Sequence, residues 1–137
     1  MILADSTFLI DSLRKITSVK KFLQKNPTEI LFTTEINVFE LYFGLYSSKI
    51  LANSEDLLER RKSKLEELLS KFQVISMGRK EGIKAAKLLG NLVRIGKVIE
   101  FRDALVAGIA MANGITRILT KNIDHFRGIE GIEVIVY

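Results

Sequence analysis

Cysteine is absent from this 137-residue chain, and proline and histidine occur once each. Without thiols the protein has no disulfide, no cysteine nucleophile and no cysteine-ligated zinc or iron–sulfur cluster. A reducing cytoplasm suits such a composition. No stretch is rich in glycine, serine and proline, and no internal repeat or low-complexity segment stands out. We therefore expect residues 1–137 to form a single domain of ordinary size.

A long apolar run is also missing. The longest such stretch, residues 36–46, is interrupted by Asn37, Glu40 and Gly44, and it is too short to cross a bilayer. The first residues, MILADSTFLIDS, place a carboxylate at position 5, where a secretory signal would be basic and then apolar. These features predict a soluble, cytoplasmic protein that does not associate with membranes.

Negative charge is in the minority: the chain has 21 Lys and Arg against 16 Asp and Glu, a net charge of +5. A basic excess favours polyanionic partners such as nucleic acids, although soluble proteins without such partners also reach this value. The hydrophobic fraction of 47% is enough for one sizeable core and excludes a disordered chain.

Strand-like and helix-like segments alternate along the chain. The predicted strands are short apolar runs at residues 1–4, 30–32, 73–76, 116–120 and 132–137. The predicted helices lie between them, at about residues 7–24, 34–47, 54–72, 81–95 and 102–113. This alternation predicts a three-layer α/β/α domain with a mostly parallel sheet of four or five strands. In such sheets ligands bind beyond the carboxyl ends of the strands.

Polar side chains stand at those ends. Asp5 follows the first strand directly, Asn122 and Asp124 lie just past the fourth in LTKNIDHF, and Asp103 opens a helix. Each has an ordinary structural alternative, because Asp5 and Asp103 are typical helix caps and residues such as Asn122 form turns.

Glu40 is the least expected of the acidic residues. At 3.6 residues per turn it shares one helix face with Ile36, Phe39 and Phe43. A buried carboxylate is costly unless it is paired, protonated or bound to a metal. The alternative is that Glu40 faces the surface.

Convergence of these acids would define the chemistry. Two like charges about 4 Å apart repel by roughly 1–4 kcal/mol, so several together need protons or a cation. With no cysteine and one histidine the ligands are hard oxygens, which suit Mg²⁺ or Mn²⁺. Such ions activate water and stabilise charge on a phosphate. An acidic pocket with a basic exterior is typical of a nuclease.

Two further features bear on partners. Arg102, beside Asp103, is a candidate for a bidentate phosphate contact, with pairing to Glu100 as the alternative. Four aromatic residues make the helix around Glu40 apolar on most sides, so this helix is either buried or at an interface, and we take homodimer packing as the hypothesis. The four are Phe39, Tyr42, Phe43 and Tyr46.

Three segments resemble the motifs of the PIN-domain family. MILADSTFLID is similar to the first motif, a strand that ends in Asp and is followed by a Ser/Thr position. TTEINVFELYFGLY is similar to the second, in which Glu precedes Leu and Gly follows. FRDALVAGIAMANGITRILTKNIDHFRGIEGIEVIVY resembles the C-terminal half of the family. Among single-domain members, the chain resembles the VapC-like toxins of type II toxin–antitoxin pairs.

The resemblance implies a metal-dependent endoribonuclease that hydrolyses RNA phosphodiester bonds, forms a homodimer and is covered at its active site by a small antitoxin protein. It implies that Asp5 and Asp103 are the principal ligands of Mg²⁺ or Mn²⁺, with Glu40 as the third acid. It also implies that Thr7 supports Asp5 by hydrogen bonding, and that Thr120 and Asn122 belong to the last motif.

The last motif departs from the family pattern. Many members carry an acid where Asn122 or His125 stands here, so Asp124 is the candidate for a fourth catalytic acid. His125 is interpreted as a loop residue, with a phosphate contact as its alternative. The displaced acid leaves open a non-catalytic module that binds RNA or protein. A phosphatase with an aspartyl nucleophile is disfavoured, because position 7 is threonine where a second aspartate is expected.

Overall fold

Five short parallel strands form the centre of the structure, a computed structural model that describes residues 1–137. The strands are β1 (Ile2–Ala4), β2 (Leu31–Thr34), β3 (Gln73–Ile75), β4 (Arg117–Leu119) and β5 (Glu133–Ile135). Their order across the sheet is β3-β2-β1-β4-β5, and every neighbouring pair is parallel. The predicted α/β class and the parallel five-strand sheet are confirmed.

Eight helices connect the strands and cover the sheet. They are α1 (Ser6–Leu13), α2 (Thr17–Lys25), α3 (Glu35–Tyr46), α4 (Lys49–Ala52), α5 (Glu55–Leu69), α6 (Arg79–Arg94), α7 (Phe101–Ala112) and α8 (Ile123–Phe126). None of them combines the length and the hydropathy that a bilayer-spanning helix requires.

The central strand β1 is buried on both faces. Leu3 packs in one core cluster with Val106 and Ala107 of α7, whereas Ile2 and Ala4 belong to a second cluster with Phe8 of α1. Successive side chains of a strand point to opposite faces, so a strand covered on both sides is apolar throughout. This is why the strand Ile2–Ala4 is a continuous apolar run that ends at the first polar residue.

The strand order creates a switch point beside β1. The chain runs from β1 to β2 on one side and returns to β4 on the other, and Ala4 is in register with Leu119. The next residues, Asp5 and Thr120, therefore lie side by side at the carboxyl edge of the sheet. Crevices at such points are where open parallel sheets bind ligands.

The first predicted helix is two helices in the structure. The prediction of one helix over residues 7–24 is wrong because the chain turns at Lys15, which has a positive φ of 55° between α1 and α2. The apolar spacing continues through this turn, and no proline or glycine marks it. The region after β4, interpreted as a loop, contains the short helix α8.

Helices α6 and α7 pack closely at Gly108. A Cβ atom added there would lie 2.4 Å from the Cα and 2.5 Å from the Cβ of Ala85. Two small residues therefore set the distance between these helices. By contrast, a Cβ at Gly90 of α6 would meet nothing within 4 Å.

We expect Gly108→Ala to lower the free energy of unfolding by about 1–3 kcal/mol, because the backbone of α6 must shift to admit the methyl group. Gly90→Ala is the matched control and should raise it by up to about 1 kcal/mol, because alanine favours a helix. Urea denaturation of both variants measures the difference. A Gly108→Ala protein as stable as Gly90→Ala would contradict the close packing.

Candidate active site

Asp5 caps helix α1 at the end of β1. Its Oδ1 accepts hydrogen bonds from the backbone N–H of Thr7 at 2.9 Å and of Phe8 at 3.2 Å, and from the Thr7 hydroxyl at 2.6 Å. Its Oδ2 accepts one from the Thr120 hydroxyl at 2.5 Å. The capping alternative is therefore correct for Asp5, and the hydrogen bond from Thr7 that the resemblance implied is present. The same carboxylate also ties β1 to the end of β4.

The carboxylate of Asp5 is buried among neutral partners. The residue is 5% exposed and takes part in no ion pair. Burial raises the pKa of Asp5, and the hydrogen bonds from Thr120 and Thr7 oppose this effect. Because the pKa of Asp5 is higher in the folded state than in the unfolded state, ionisation of this carboxyl group lowers the free energy of unfolding. The loss grows as the pH rises from the unfolded pKa through the folded pKa. A bound cation would remove that cost.

The hydroxyl groups around Asp5 extend the network to the loop after β4. The Thr7 hydroxyl accepts a hydrogen bond from the backbone N–H of Lys121 at 3.0 Å, and the Thr120 hydroxyl accepts one from the backbone N–H of Asn122 at 2.9 Å. Asn122 thus joins the site through its backbone, while the residue itself is exposed.

Glu40 on α3 is joined to the Asp5 region by Ser6. The Ser6 hydroxyl donates a hydrogen bond to Oε2 of Glu40 and accepts one from the Asn37 side chain at 3.1 Å. Thr7 was predicted to support the site, whereas Ser6 was not predicted to take part in it. The sequence could have indicated a role for Ser6, because Ser6 and Thr7 both belong to the first turn after Asp5.

The helix face around Glu40 differs from the prediction. The glutamate side chain is 20% exposed, but Phe39 and Phe43, predicted to lie with it in an apolar stripe, are 58% and 59% exposed. The stripe was inferred from helical spacing, which does not say what covers a face. Glu40 lies at the border between the protein interior and this exposed aromatic surface.

Asp103 lies in the first turn of α7, where Glu100 is the N-cap, so the interpretation of Asp103 as an N-cap is wrong. Its side chain is 16% exposed, and its Oδ2 is 2.6 Å from Nδ1 of His125. Burial raises the pKa of Asp103, the contact with His125 lowers it, and the negative charges of Glu100 and Glu40 raise it further. Glu40 is therefore within electrostatic reach of Asp103.

His125 belongs to α8 and contacts Asp103. The interpretation of His125 as a loop residue is wrong, because four residues after Asn122 form a helical turn that directs the imidazole toward α7. A single histidine in a segment rich in turn-forming residues carries no periodic signal, so its position could not be read from the sequence.

Arg102 has the carboxylate partner given as its alternative. Its Nε is 2.8 Å from Glu100, and its Nη1 is 3.4 Å from Oε1 of Glu40. The side chain is 47% exposed, which leaves part of the guanidinium group accessible to a ligand.

Asp124 is not brought to the other acids. Its side chain is 92% exposed, and its ion pair is with Arg127 at 3.8 Å. The first turn of α8 places His125 toward Asp103 and leaves the adjacent Asp124 in solvent. The expectation that Asp124 supplies a fourth acid therefore has no support in its position.

The three acids Asp5, Glu40 and Asp103 have the type of donor atom that a hard divalent cation prefers, but they do not form a complete set of metal ligands. No group of three or more histidine, aspartate or glutamate side chains is close enough to hold a metal ion. Each acid has its own side-chain partners instead: Thr7 and Thr120 for Asp5, Ser6 and Arg102 for Glu40, and His125 for Asp103. The three acids offer only carboxylate oxygens to a metal ion, and such oxygens suit Mg²⁺ or Mn²⁺. Asp5, alone of the three, has no basic side chain as a partner.

Comparison with known proteins agrees with this fold. A PIN domain family model matches residues 2–131. No curated protein sequence matches the chain. Among solved structures, VapBC2 from Rickettsia felis bound to a promoter DNA fragment is similar with 23% identity and a TM-score of 0.85, over 100% of this chain and 99% of that one.

Two more complexes have the same architecture. DNA-bound VapBC from Salmonella typhimurium matches with 21% identity and a TM-score of 0.83, and FitAcB from Neisseria gonorrhoeae with 20% identity and a TM-score of 0.83. Each comparison covers 98% of this chain and 96% of the other. At these identities the likeness concerns the fold, whereas the family model spans nearly the whole sequence. The chain belongs to the PIN domain family.

Proposed function

We propose that this protein is a metal-dependent endoribonuclease and the toxin of a toxin–antitoxin pair, acting in the cytoplasm. The observation that carries the proposal is the buried carboxylate of Asp5, which has four neutral hydrogen-bond donors, no cationic partner and a position at the switch point of the sheet. PIN-domain nucleases generally use divalent metal ions. A cation beside Asp5 would offset the cost of burying its charge.

Asp5 and Asp103 are the proposed principal ligands of Mg²⁺ or Mn²⁺, with Glu40 as the third acid. Such an ion would offset the negative charge of the phosphate and would lower the pKa of a bound water molecule. Thr7 and Thr120 hold the Asp5 carboxylate in one orientation, because each donates a hydroxyl hydrogen bond to it.

The remaining polar groups orient the acids and the substrate. His125 holds Oδ2 of Asp103 and leaves Oδ1 without a hydrogen-bond donor from the protein, in the manner of a group that orients a metal ligand. Glu40 orients the attacking water, and the exposed guanidinium of Arg102 binds a phosphate oxygen. Asp124 is left out of the proposed site.

A non-catalytic module that binds RNA or protein is the second candidate. The observation that favours it is the lack of three acidic or histidine side chains arranged to hold a metal ion. The two candidates differ in one measurable property, since only the nuclease converts RNA to shorter products when a divalent metal is supplied.

We expect the purified protein to cleave structured RNA with Mn²⁺ or Mg²⁺ and to be inactive in EDTA. Asp103→Asn should reduce the cleavage rate by at least about 100-fold, because a neutral amide binds the cation weakly and metal assistance contributes several kcal/mol. Gel analysis of end-labelled RNA measures the rates.

Asp124→Asn is the matched control, because it removes the same charge from an exposed position and should keep full activity. Circular dichroism checks that both variants are folded. Equal cleavage by Asp103→Asn and the unaltered protein would refute the assignment, and RNA binding without cleavage by the unaltered protein would favour the binding module.

The antitoxin is proposed to bind a groove that begins at Glu40. The groove has a volume of about 550 Å³ and an apolar floor that includes Leu41, Leu45 and Leu65. Arg14, Arg61 and Lys64 are its basic lining residues. An amphipathic helix with apolar residues on one face and acidic residues at its margin complements such a surface. An occupant of this groove would contact the site at Glu40.

We expect Gly44→Phe to block antitoxin binding. Gly44 lines the groove, and a Cβ there meets nothing within 4 Å, so the protein has room for a benzyl group at the groove wall. Gly44→Ala is the matched control, because a methyl group leaves the groove open.

Calorimetric titration with the candidate antitoxin, the product of any short reading frame found beside the gene, measures the difference, which should be at least about 10-fold in Kd. Equal affinity of the two variants for that protein would exclude this groove as its docking site.

A homodimer is proposed to form through the aromatic surface of α3. Phe39 and Phe43 stack with ring centroids 5.9 Å apart and are more than half exposed, as is Tyr46. Adjacent exposed aromatic rings of this size mark an interaction surface in a soluble protein.

We expect the unaltered protein to sediment as a dimer and Phe39→Ser/Phe43→Ser to sediment as a monomer. Burial of each phenylalanine contributes about 1.5–3 kcal/mol, so loss of both should raise the dimer Kd by at least about 100-fold. Analytical ultracentrifugation over a concentration series tests this. A monomer at every concentration of the unaltered protein would contradict the proposal.

A further inference from the structure

The excess positive charge of the chain is confined to one segment. Residues 79–102, which comprise α6, the following loop and the start of α7, contain seven basic and two acidic residues. This segment therefore carries +5, the whole net charge of the protein. The other 113 residues contain fourteen charges of each sign.

Four of these basic residues form a row on α6, which we name the α6 stripe: Lys80, Lys84, Lys87 and Arg94. Their spacing of four, three and seven residues keeps them within a sector of about 80° at 100° per residue. All four are exposed. None takes part in an ion pair with an acid, and Arg94 hydrogen-bonds only to the Asn91 side chain.

The stability of the folded protein does not explain why these basic residues form a row on α6. Like charges three or four residues apart destabilise a helix, and Lys80–Lys84 and Lys84–Lys87 are such pairs. The one acid of α6, Glu81, accepts hydrogen bonds from the backbone N–H of Gly78 at 3.1 Å and from Asn113 at 3.2 Å. Helix α5 differs, since it interleaves five acidic with four basic residues, as an ordinary solvated helix does.

The α6 stripe leads toward the proposed active site. Glu81 at the start of α6 contacts Asn113 just after α7, so the two helices are antiparallel and the end of α6 lies near the start of α7, where Asp103 stands. Lys80 and Arg94 are separated by about 21 Å along the helix axis. Lys84, Lys87 and Lys97 line a groove of about 420 Å³ between α6 and the segment after α8.

We propose that the α6 stripe binds the sugar–phosphate backbone of an RNA strand and guides it to the carboxylates of the active site. This inference rests on the proposed ribonuclease function. A row of unpaired charges of one sign complements a polymer that carries one negative charge per unit. Three of the four are lysines, which act as point charges and suit contacts that do not depend on nucleotide sequence.

The test is the salt dependence of RNA binding by Lys84→Gln/Lys87→Gln. Fluorescence anisotropy with a fluorescein-labelled, unstructured RNA oligonucleotide is measured in EDTA, so that no cleavage occurs. Loss of two phosphate contacts should make the slope of log K against log salt shallower by about 1.4, and should weaken binding roughly 25-fold at about 0.1 M salt. Lys84→Arg/Lys87→Arg should retain the slope of the unaltered protein.

Lys20→Gln/Lys21→Gln is the matched control. It removes the same two charges from α2, which packs on the opposite face of the sheet from α6 and α7. Charges more than a screening length of about 10 Å from the strand contribute little, so affinity should change less than about threefold. Equal losses in the two double variants would show a general charge effect and would overturn the proposal.

Two further results separate the inference from the ribonuclease function. If the unaltered protein cleaves RNA with Mn²⁺ and the α6 variant keeps both slope and affinity, the stripe proposal fails while the nuclease stands. If the unaltered protein neither binds nor cleaves RNA, the proposed function itself fails. Poly-glutamate is the competing polyanion, and loss of poly-glutamate binding with unchanged RNA binding would assign the stripe to an acidic protein segment and overturn the RNA proposal.

Discussion

The carboxylate of Asp5 couples the fold to the site. It terminates the central strand, caps the first helix and accepts the Thr120 hydroxyl from the neighbouring strand end. These contacts require β1 and β4 to be adjacent and in register, because otherwise Thr120 would not reach Asp5. The resulting group is well held but not neutralised, since every donor to it is uncharged. The Asp5 carboxylate therefore orders the strand ends and the first helix, and its negative charge also favours a cation nearby.

The other two acids have partners of a different kind. Glu40 is 3.4 Å from Arg102, and Asp103 is 2.6 Å from His125, so each has a basic partner near the surface. The side chains of both partners are 47% exposed. Solvent therefore weakens their hold on the two acids, and another ligand can compete for them. The site combines one fixed, buried acid with two acids whose partners are exchangeable.

The sequence was informative where local pattern and sheet geometry act together. A short apolar run followed by Asp5 was enough to place a carboxylate at the edge of a parallel sheet. The alternation of strands and helices was enough to predict the fold class and the mostly parallel sheet, but not the order of its strands. The contact of His125 with Asp103 was not accessible, because it joins residues 22 positions apart through a helix of four residues. The turn at Lys15 was missed because a positive φ in a lysine has no sequence signal.

Glu40 shows most clearly what periodicity leaves undetermined. Helical spacing correctly grouped it with aromatic residues, but the same spacing is compatible with a core, a groove or an interface. In the structure the neighbouring rings of Phe39 and Phe43 are exposed, Glu40 itself lines the apolar groove, and Arg102 lies 3.4 Å from its carboxylate. A carboxylate at the meeting point of three surfaces responds to whatever occupies each of them. In the proposed function, substrate, a second copy of the chain and an inhibitory partner would therefore each approach the protein beside this one carboxylate.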